Sequence, residues 1–94
     1  MNENDEVTIF ATVKSVSAFN TKKNLTVMNV TLKDSTGLIT ITYFYAKVNR
    51  YRLESYKKQF PQGASLMMSG KVKRDTYTGL LTLDNPSHQI ISTD

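Results

Sequence analysis

The side chains that could perform acid–base, nucleophilic or metal chemistry are few in this 94-residue sequence. His88 is the single histidine and there is no cysteine, so neither a zinc site nor a catalytic triad can be completed. The acidic residues Asp34, Glu54, Asp75 and Asp84 stand at turns or among basic residues, and turn formation or ion pairing explains them. His88 is therefore predicted to be a loop histidine, and the domain alone is predicted not to be an enzyme.

Signals for nucleotide or cofactor binding are also missing from the sequence. The glycines, at positions 37, 63, 70 and 79, are isolated and form no loop that could cradle phosphates. The ATP-binding motif GxxxxGK[ST] does not occur. We therefore expect no cofactor and no metal in this chain.

The remaining chemical signal is aromatic and begins with three consecutive residues, Tyr43, Phe44 and Tyr45. Successive strand residues point to opposite faces, so one core cannot accept all three rings. Tyr43 shares its phase with two isoleucines and is predicted to be core, whereas Phe44 shares its phase with two threonines and is predicted to point outward. An exposed ring near cations is what base stacking requires. The alternative is that the following helix or a loop covers Phe44 and makes it ordinary core.

Basic residues accompany the aromatic ones at three places along the chain. Phe19 precedes a lysine pair, Phe44 precedes a basic helix, and Tyr77 follows an arginine at a hairpin. We predict a nucleic-acid-binding site composed of these aromatic and basic side chains: Phe44, Tyr45, Phe19, Lys22, Lys23, Lys47, Arg50, Arg52, Lys71, Lys73, Arg74 and Tyr77.

The charge distribution fits a polyanionic partner. The net charge is +4, and three of the eight acidic residues lie within the first six positions. From Val7 to Asp94 the chain carries all 12 basic residues and five acidic ones, a net charge of +7. Such a surface attracts nucleic acid, although a basic surface that serves only solubility is the alternative.

The elements that must position these residues are predicted from the spacing of apolar side chains. Alternation with period two predicts five strands. They are expected at 7–16 with a phase break before Val16, at 25–32 with a slip near Met28 and Asn29, at 38–45, at 66–73 and at 81–83. The segment DNPSH is expected to end the fifth strand, with QII as a short further pairing segment. Gly70 marks a bulge or a close backbone approach.

A helix is predicted between the third and fourth strands. Leu53, Tyr56 and Phe60 stand at helical spacing between positions 47 and 60, and Pro61 and Gly63 would end the helix. Five strands with one helix at this place predict an all-β fold, the five-stranded Greek-key OB-fold barrel. An SH3-like barrel is the chief rival, but it lacks a helix of about 12 residues there.

The chain length allows one small domain. Residues 1–6 are polar and acidic and are predicted to be a disordered segment that precedes an OB-fold domain at 7–94. No apolar run approaches the ~18 residues that a membrane helix needs. We therefore expect a cytoplasmic location and no membrane partner.

Several segments resemble the wedge domain of the RecG family, DNA translocases that remodel stalled replication forks. ASLMMSGKVKRDTYTGLLTLDNPS resembles the run that closes this domain, and STGLITITYF resembles the segment before it. YRLESYKKQFPQGA is similar to a lengthened helix in one branch of the family. The resemblance covers nearly all of Val7 to Ser92.

The resemblance implies an OB domain that splits branched DNA while helicase domains of the same parent chain hydrolyse ATP. The family stacks an aromatic residue at the end of strand three on the junction base pair, and Phe44 matches it. A second aromatic residue often follows four positions later, where this sequence has Val48; Tyr45 or Tyr51 are the candidates to replace it. The implied partners are branched or single-stranded DNA and the helicase domains.

Two other functions remain open from the residues alone. A barrel that serves only as a protein-docking or spacer domain would leave its basic face solvated. An OB domain that binds RNA, including tRNA, would use the same stacking and phosphate contacts as one that binds DNA.

Overall fold

The computed structural model of the chain describes residues 2–76 and 78–93. Within these residues the chain forms five strands and one helix, in the order β1 (Glu6–Asn20), β2 (Leu25–Asp34), β3 (Gly37–Ala46), α1 (Arg50–Lys57), β4 (Ser65–Arg74) and β5 (Leu81–Ser92). In this part of the chain, no helix has the length and apolar character needed to cross a membrane.

The five strands are antiparallel to their neighbours and form one sheet in the order β3-β2-β1-β4-β5. The sheet curls until its two edge strands approach each other, and Thr82 of β5 donates a hydrogen bond of 2.7 Å from Oγ1 to the carbonyl oxygen of Thr40 in β3. This topology, with α1 between β3 and β4, confirms the predicted all-β Greek-key barrel of the OB type.

The long first strand contributes to the curvature of the sheet. β1 pairs with β4 over Glu6–Thr12 and with β2 over Thr12–Asn20, and its register shifts between Val13 and Ser15. A bulge of this kind bends a strand and increases its twist. The phase break predicted before Val16 is therefore confirmed, and it marks the point where β1 passes from one partner to the other.

The barrel interior is filled by the inward residues of all five strands. The centre of the core is fully buried and consists of Val13, Met28, Val30, Leu32, Ile41, Leu66, Met68, Val72 and Leu83. Tyr43 belongs to the same core cluster and is 9% exposed. Burial raises the pKa of the Tyr43 phenol, so this side chain stays neutral inside the barrel.

Gly70 permits a close approach between β4 and β5. A Cβ atom at this position would lie 3.0 Å from Cβ and 3.2 Å from Cα of Pro86, and the register between the two strands shifts between Ser69 and Lys71. Both readings of Gly70, the bulge and the close approach, are confirmed.

The helix is shorter than predicted. α1 begins after Asn49, whose Oδ1 accepts a hydrogen bond of 2.9 Å from the Arg52 amide, and it ends at Lys57. Phe60 lies beyond the helix in a turn, where its amide donates to the Lys57 carbonyl, yet its ring is buried in the barrel. The helical spacing of Phe60 was therefore misleading, because the ring reaches the core from a turn.

The prediction that β5 ends at DNPSH is wrong, and so is the loop assignment of His88. β5 continues through Pro86, since Asn85 adopts a left-handed conformation at φ 46° and the strand lies at the sheet edge, where the missing proline N–H breaks no ladder. His88 lies within β5, and its ring stacks on Phe60 at 4.2 Å between centroids. Its Nε2 lies 3.0 Å from the Gln59 carbonyl oxygen, so His88 helps to hold the turn after α1.

The N-terminal residues, predicted to be disordered, are hydrogen-bonded to β4. The amide of Asn4 donates to the Val72 carbonyl oxygen at 2.8 Å, and the Val72 amide donates to the Asp5 carbonyl oxygen at 2.8 Å. Glu6 is already the first residue of β1. β1 therefore begins one residue before the predicted domain boundary at position 7.

Candidate nucleic-acid interface

Phe44 lies on the outer face of β3 and is 60% exposed. Its neighbour Tyr43 points into the barrel, 5.7 Å from the buried ring of Phe60. The predicted assignment of the two rings to opposite faces is confirmed, and the alternative in which the helix covers Phe44 is wrong. Phe44 therefore presents a flat apolar surface to solvent.

Phe44 belongs to a row of apolar side chains that crosses three strands. Val27 of β2 pairs directly with Phe44 on one side and with Phe19 of β1 on the other. Directly paired residues share one face of a sheet, so the three side chains stand in line. Phe19 is 49% exposed and Val27 between the two rings is buried. We call Phe19, Val27 and Phe44 the aromatic row.

Polar side chains continue the same face beyond the aromatic row. Thr42 donates a hydrogen bond of 2.7 Å from Oγ1 to Oδ1 of Asn29, its partner across β2 and β3. The hydroxyls of Thr31 and Thr40, the next pair on this face, lie 3.4 Å apart. Their lone pairs and the Asn29 amide are uncharged donors and acceptors that can contact sugars or base edges.

A basic loop stands at the Phe19 end of the row. Lys22 and Lys23 are exposed in the turn between β1 and β2, which Thr21 Oγ1 closes by accepting the Lys23 and Leu25 amides at 3.2 and 3.3 Å. Lys47, also exposed, is attached to this turn because its amide donates to the Asn24 carbonyl oxygen at 3.0 Å. Three lysines are thus positioned at the same end of the outer face as the aromatic row.

A second basic segment borders the face from the β4–β5 hairpin. Lys73 and Arg74 line one groove together with Thr42 and Phe44, and the carboxylate residue Asp75 lines it as well. Asp75 accepts the Thr78 amide at 3.1 Å and so helps to close the hairpin. The outer face therefore has an aromatic and polar centre and basic residues on two sides, an arrangement that can stack bases and neutralise phosphates.

Comparison with known proteins agrees with this geometry. The family model described as an OB-fold nucleic acid binding domain matches residues 7–91. The chain belongs to this family.

Two RecG proteins are similar to this OB domain. The ATP-dependent DNA helicase RecG of Synechocystis sp. is 35% identical over 92 residues, which cover 93% of this chain and 11% of that protein. A solved structure of RecG bound to a three-way DNA junction has a TM-score of 0.69 at 24% identity, over 93% of this chain and 11% of the other. The OB domain thus spans about a tenth of the length of these relatives.

Not every predicted site residue joins the aromatic row. Tyr45 has the same strand phase as Tyr43 and lies half-buried, with its ring stacked on Tyr56 of α1 at 4.4 Å. Burial raises the pKa of its phenol. Tyr45 therefore packs against α1 on the face away from Phe44, so the structure gives it a packing role and not a place on the outer face. Tyr51 is exposed on α1.

Three basic residues also lie apart from the row. Lys71 is exposed on β4, where its register partners are Glu6 and Asp84, so acidic residues flank it on both sides. Arg50 and Arg52 are exposed on α1, but residues two apart do not share a helix face, so they cannot both face one strand of nucleic acid. Tyr77 lies outside the described residues.

The sequence prediction missed Val27 and the polar pairs of the outer face. The slip predicted near Met28 and Asn29 is not a bulge, since β2 and β3 pair in unbroken register. Leu25 and Val27 instead belong to the outer face with Phe44, and the core residues of β2 follow from Met28 onward. The change in the alternation of apolar residues within β2 indicated that this strand carries apolar side chains on both faces of the sheet.

Arg74 is restrained by an N-terminal carboxylate, which leads to a prediction. Its Nε lies 3.0 Å from Oε1 of Glu3, and its guanidinium also donates to the Gly79 carbonyl oxygen at 2.6 Å. Replacing Glu3 with Gln releases Arg74 toward phosphates, so we expect nucleic-acid affinity at low salt to rise by roughly two- to fivefold, a difference that added salt reduces.

The matched control for this prediction is Asp5→Asn. It removes the same charge from the same segment, and Asp5 contacts the Asn2 amide at 3.2 Å rather than the arginine. Fluorescence anisotropy with a labelled oligonucleotide measures both variants. An equal gain in nucleic-acid affinity from both substitutions would mean that the Glu3–Arg74 ion pair has no specific role.

Proposed function

We propose that this OB domain binds branched or single-stranded DNA through the outer face of β1, β2 and β3, as the wedge-like domain of a RecG-type helicase. The observation that carries the proposal is the exposed aromatic row with basic residues on two sides. The 35% identity to a DNA helicase favours DNA over RNA and over a mere spacer role.

In this proposal the two exposed rings of the row supply most of the binding free energy. A base stacked on an aromatic side chain contributes ~1–3 kcal/mol, and any base can stack because every base has a flat face. Val27 keeps water out between the rings. The hydroxyls of Thr40 and Thr42 and the amide of Asn29 contact sugar or base edges without selecting one sequence.

Phosphates are held by the lysines at the ends of the face. Lys22, Lys23 and Lys47 bind the backbone at the Phe19 end. Near Phe44, Lys73 exchanges its ion pair with Asp84, at 3.5 Å, for a phosphate. Lysine acts as a point charge on a flexible stem, so these contacts attract the strand without fixing its register. The aromatic row then determines where the bases lie.

At a DNA junction this arrangement gives a passive wedge. The terminal base pair stops against the flat ring of Phe44, and the separated strand follows the basic sides of the face. The domain carries no nucleotide-binding motif. ATP hydrolysis therefore belongs to helicase domains of the same polypeptide, which would act in the cytoplasm.

The test is equilibrium binding of the 94-residue chain to three labelled DNAs at several salt concentrations: a short single strand, a three-way junction and a blunt duplex. We expect the junction and the single strand to bind more tightly than the duplex. Phosphate contacts from these four lysines predict a slope of about −3 in log K against log salt for the single strand. Affinity that does not change with salt, or preference for the blunt duplex, contradicts the proposal.

A further inference from the structure

The exposed side of α1 carries a second basic surface. Residues 47–58 contain five basic side chains and one acidic one. Tyr56 packs against the core, whereas Arg50, Tyr51 and Lys58 are exposed. Tyr51 is 89% exposed, more than any other aromatic residue that the structure describes as exposed. We call Arg50, Tyr51 and Lys58 the helix surface.

The three side chains of the helix surface share one side of the helix. Each residue of an α-helix turns by about 100°, so Tyr51 and Lys58, two turns apart, point in nearly the same direction. Lys58 keeps helical dihedral angles as the C-cap of α1, with φ −66° and ψ −15°. Arg50 differs from both by about 80–100°, and Tyr56 points at least about 120° away from all three. The helix surface therefore faces solvent while Tyr56 faces the barrel.

The cations of the helix surface are not neutralised within the domain. Glu54 is the one acidic residue of α1, and its Oε1 lies 3.8 Å from Nζ of Lys57. Among the residues that the structure describes, neither Arg50 nor Lys58 forms an ion pair. Arginine, lysine and the tyrosine hydroxyl are donors that bind phosphate oxygens. The helix surface is therefore complementary in charge to a phosphate backbone.

The helix surface and the aromatic row face different directions. Tyr45 leaves β3 on the inner side and stacks on Tyr56 at 4.4 Å, whereas its neighbour Phe44 points outward. α1 therefore lies on the opposite side of β3 from the Phe44 ring. Phe44 and Arg50 are nevertheless only six positions apart in the sequence, so the two surfaces meet at one edge of the domain.

Two surfaces that meet at an edge fit a branched ligand better than one continuous strand. The aromatic row is suited to unpaired bases. A short single strand that lies on this row does not reach around β3 to α1. The arms of a branched DNA that stay double-stranded keep their bases stacked inside and present phosphates along their length. The helix surface offers the contacts that such an arm requires.

We propose that the helix surface binds the phosphate backbone of a double-stranded arm next to the junction, while the aromatic row holds the separated strand. This proposal rests on the proposed function and adds the part of the ligand that α1 contacts. Arg50 and Lys58 stand about 12 Å apart along the helix axis, so they reach separate phosphates. α1 therefore favours branched DNA over a single strand.

The test is the double substitution Arg50→Gln and Lys58→Gln in the 94-residue chain. Anisotropy titrations use a labelled three-way junction and a labelled short single strand. We expect the junction Kd to rise about tenfold at low salt, and the slope of log K against log salt to become less steep by about 2, since two duplex phosphates lose their contacts. The single-strand Kd should change by less than about twofold. An unchanged junction Kd, or an equal loss for both ligands, overturns the proposal.

The matched control is the double substitution Lys14→Gln and Lys71→Gln. It removes the same charge from two exposed lysines of β1 and β4 that lie apart from both surfaces. We expect it to change both Kd values by less than about twofold. A tenfold loss from this control as well would show that net charge governs junction binding, and it overturns the proposal. Phe44→Ala tests the proposed function separately, because it should weaken binding of the junction and of the single strand alike.

Discussion

Tyr43→Ala is expected to lower the free energy of unfolding by about 3–5 kcal/mol, as large as any single core substitution in a small domain. The Tyr43 ring is buried against Phe60 and 6.3 Å from the ring of Tyr45, so alanine leaves a cavity that the surrounding strands cannot close. Urea denaturation monitored by circular dichroism measures the change.

Tyr43→Phe is the control for this substitution. It keeps the ring and removes only the hydroxyl, which lies 3.4 Å from the Pro86 carbonyl oxygen, so we expect a loss below about 1 kcal/mol. If Tyr43→Ala unfolds no more readily than Tyr43→Phe, the ring does not contribute to the core.

Phe44→Ala is expected to have the opposite effect, with nearly unchanged stability and much weaker DNA binding. An exposed strand residue contributes within about ±0.5 kcal/mol to stability. Loss of one base stack weakens binding by ~1–3 kcal/mol, or roughly 5- to 150-fold in Kd at 25 °C. Anisotropy titration with a labelled three-way junction, together with thermal denaturation, measures both effects.

Phe10→Ala is the matched control for Phe44→Ala. Both replace a phenylalanine that is more than half exposed on a strand, but Phe10 pairs with Met67 of β4 and does not belong to the aromatic row. We expect Phe10→Ala to leave the Kd for the junction unchanged. Equal weakening by both substitutions would show that general hydrophobicity, and not stacking on Phe44, governs binding.

The features predicted correctly from the sequence depend on local alternation. The phase of Tyr43 and Phe44 is fixed by the strand itself, because one face must be buried. The bulge in β1 is also visible in the sequence, as a shift in the alternation of apolar residues. The close approach at Gly70 is visible as a residue without a side chain. The same rule would have assigned Tyr45 to the inner face, since it stands two residues from Tyr43.

The features that were missed depend on contacts between distant segments. Phe60 is buried from a turn because its ring packs on Tyr43 of β3 and His88 of β5, and its helical spacing to Leu53 is coincidental. Pro86 does not end β5, since edge position and the conformation of Asn85 accommodate it. The row that joins Phe19 to Phe44 through Val27 requires the pairing of three strands, which no single segment specifies.

In the proposed binding mode, the aromatic row also sets the number of nucleotides that the domain contacts. Phe19 and Phe44 stand on strands separated by β2, and two strand spacings amount to ~9.5 Å. Stacked nucleotides advance by ~3.4 Å, so about three steps separate a base on one ring from a base on the other. A strand that contacts both rings therefore crosses the sheet at a large angle to the β-strands and occupies at least about four nucleotides, the lower limit of site sizes for OB folds.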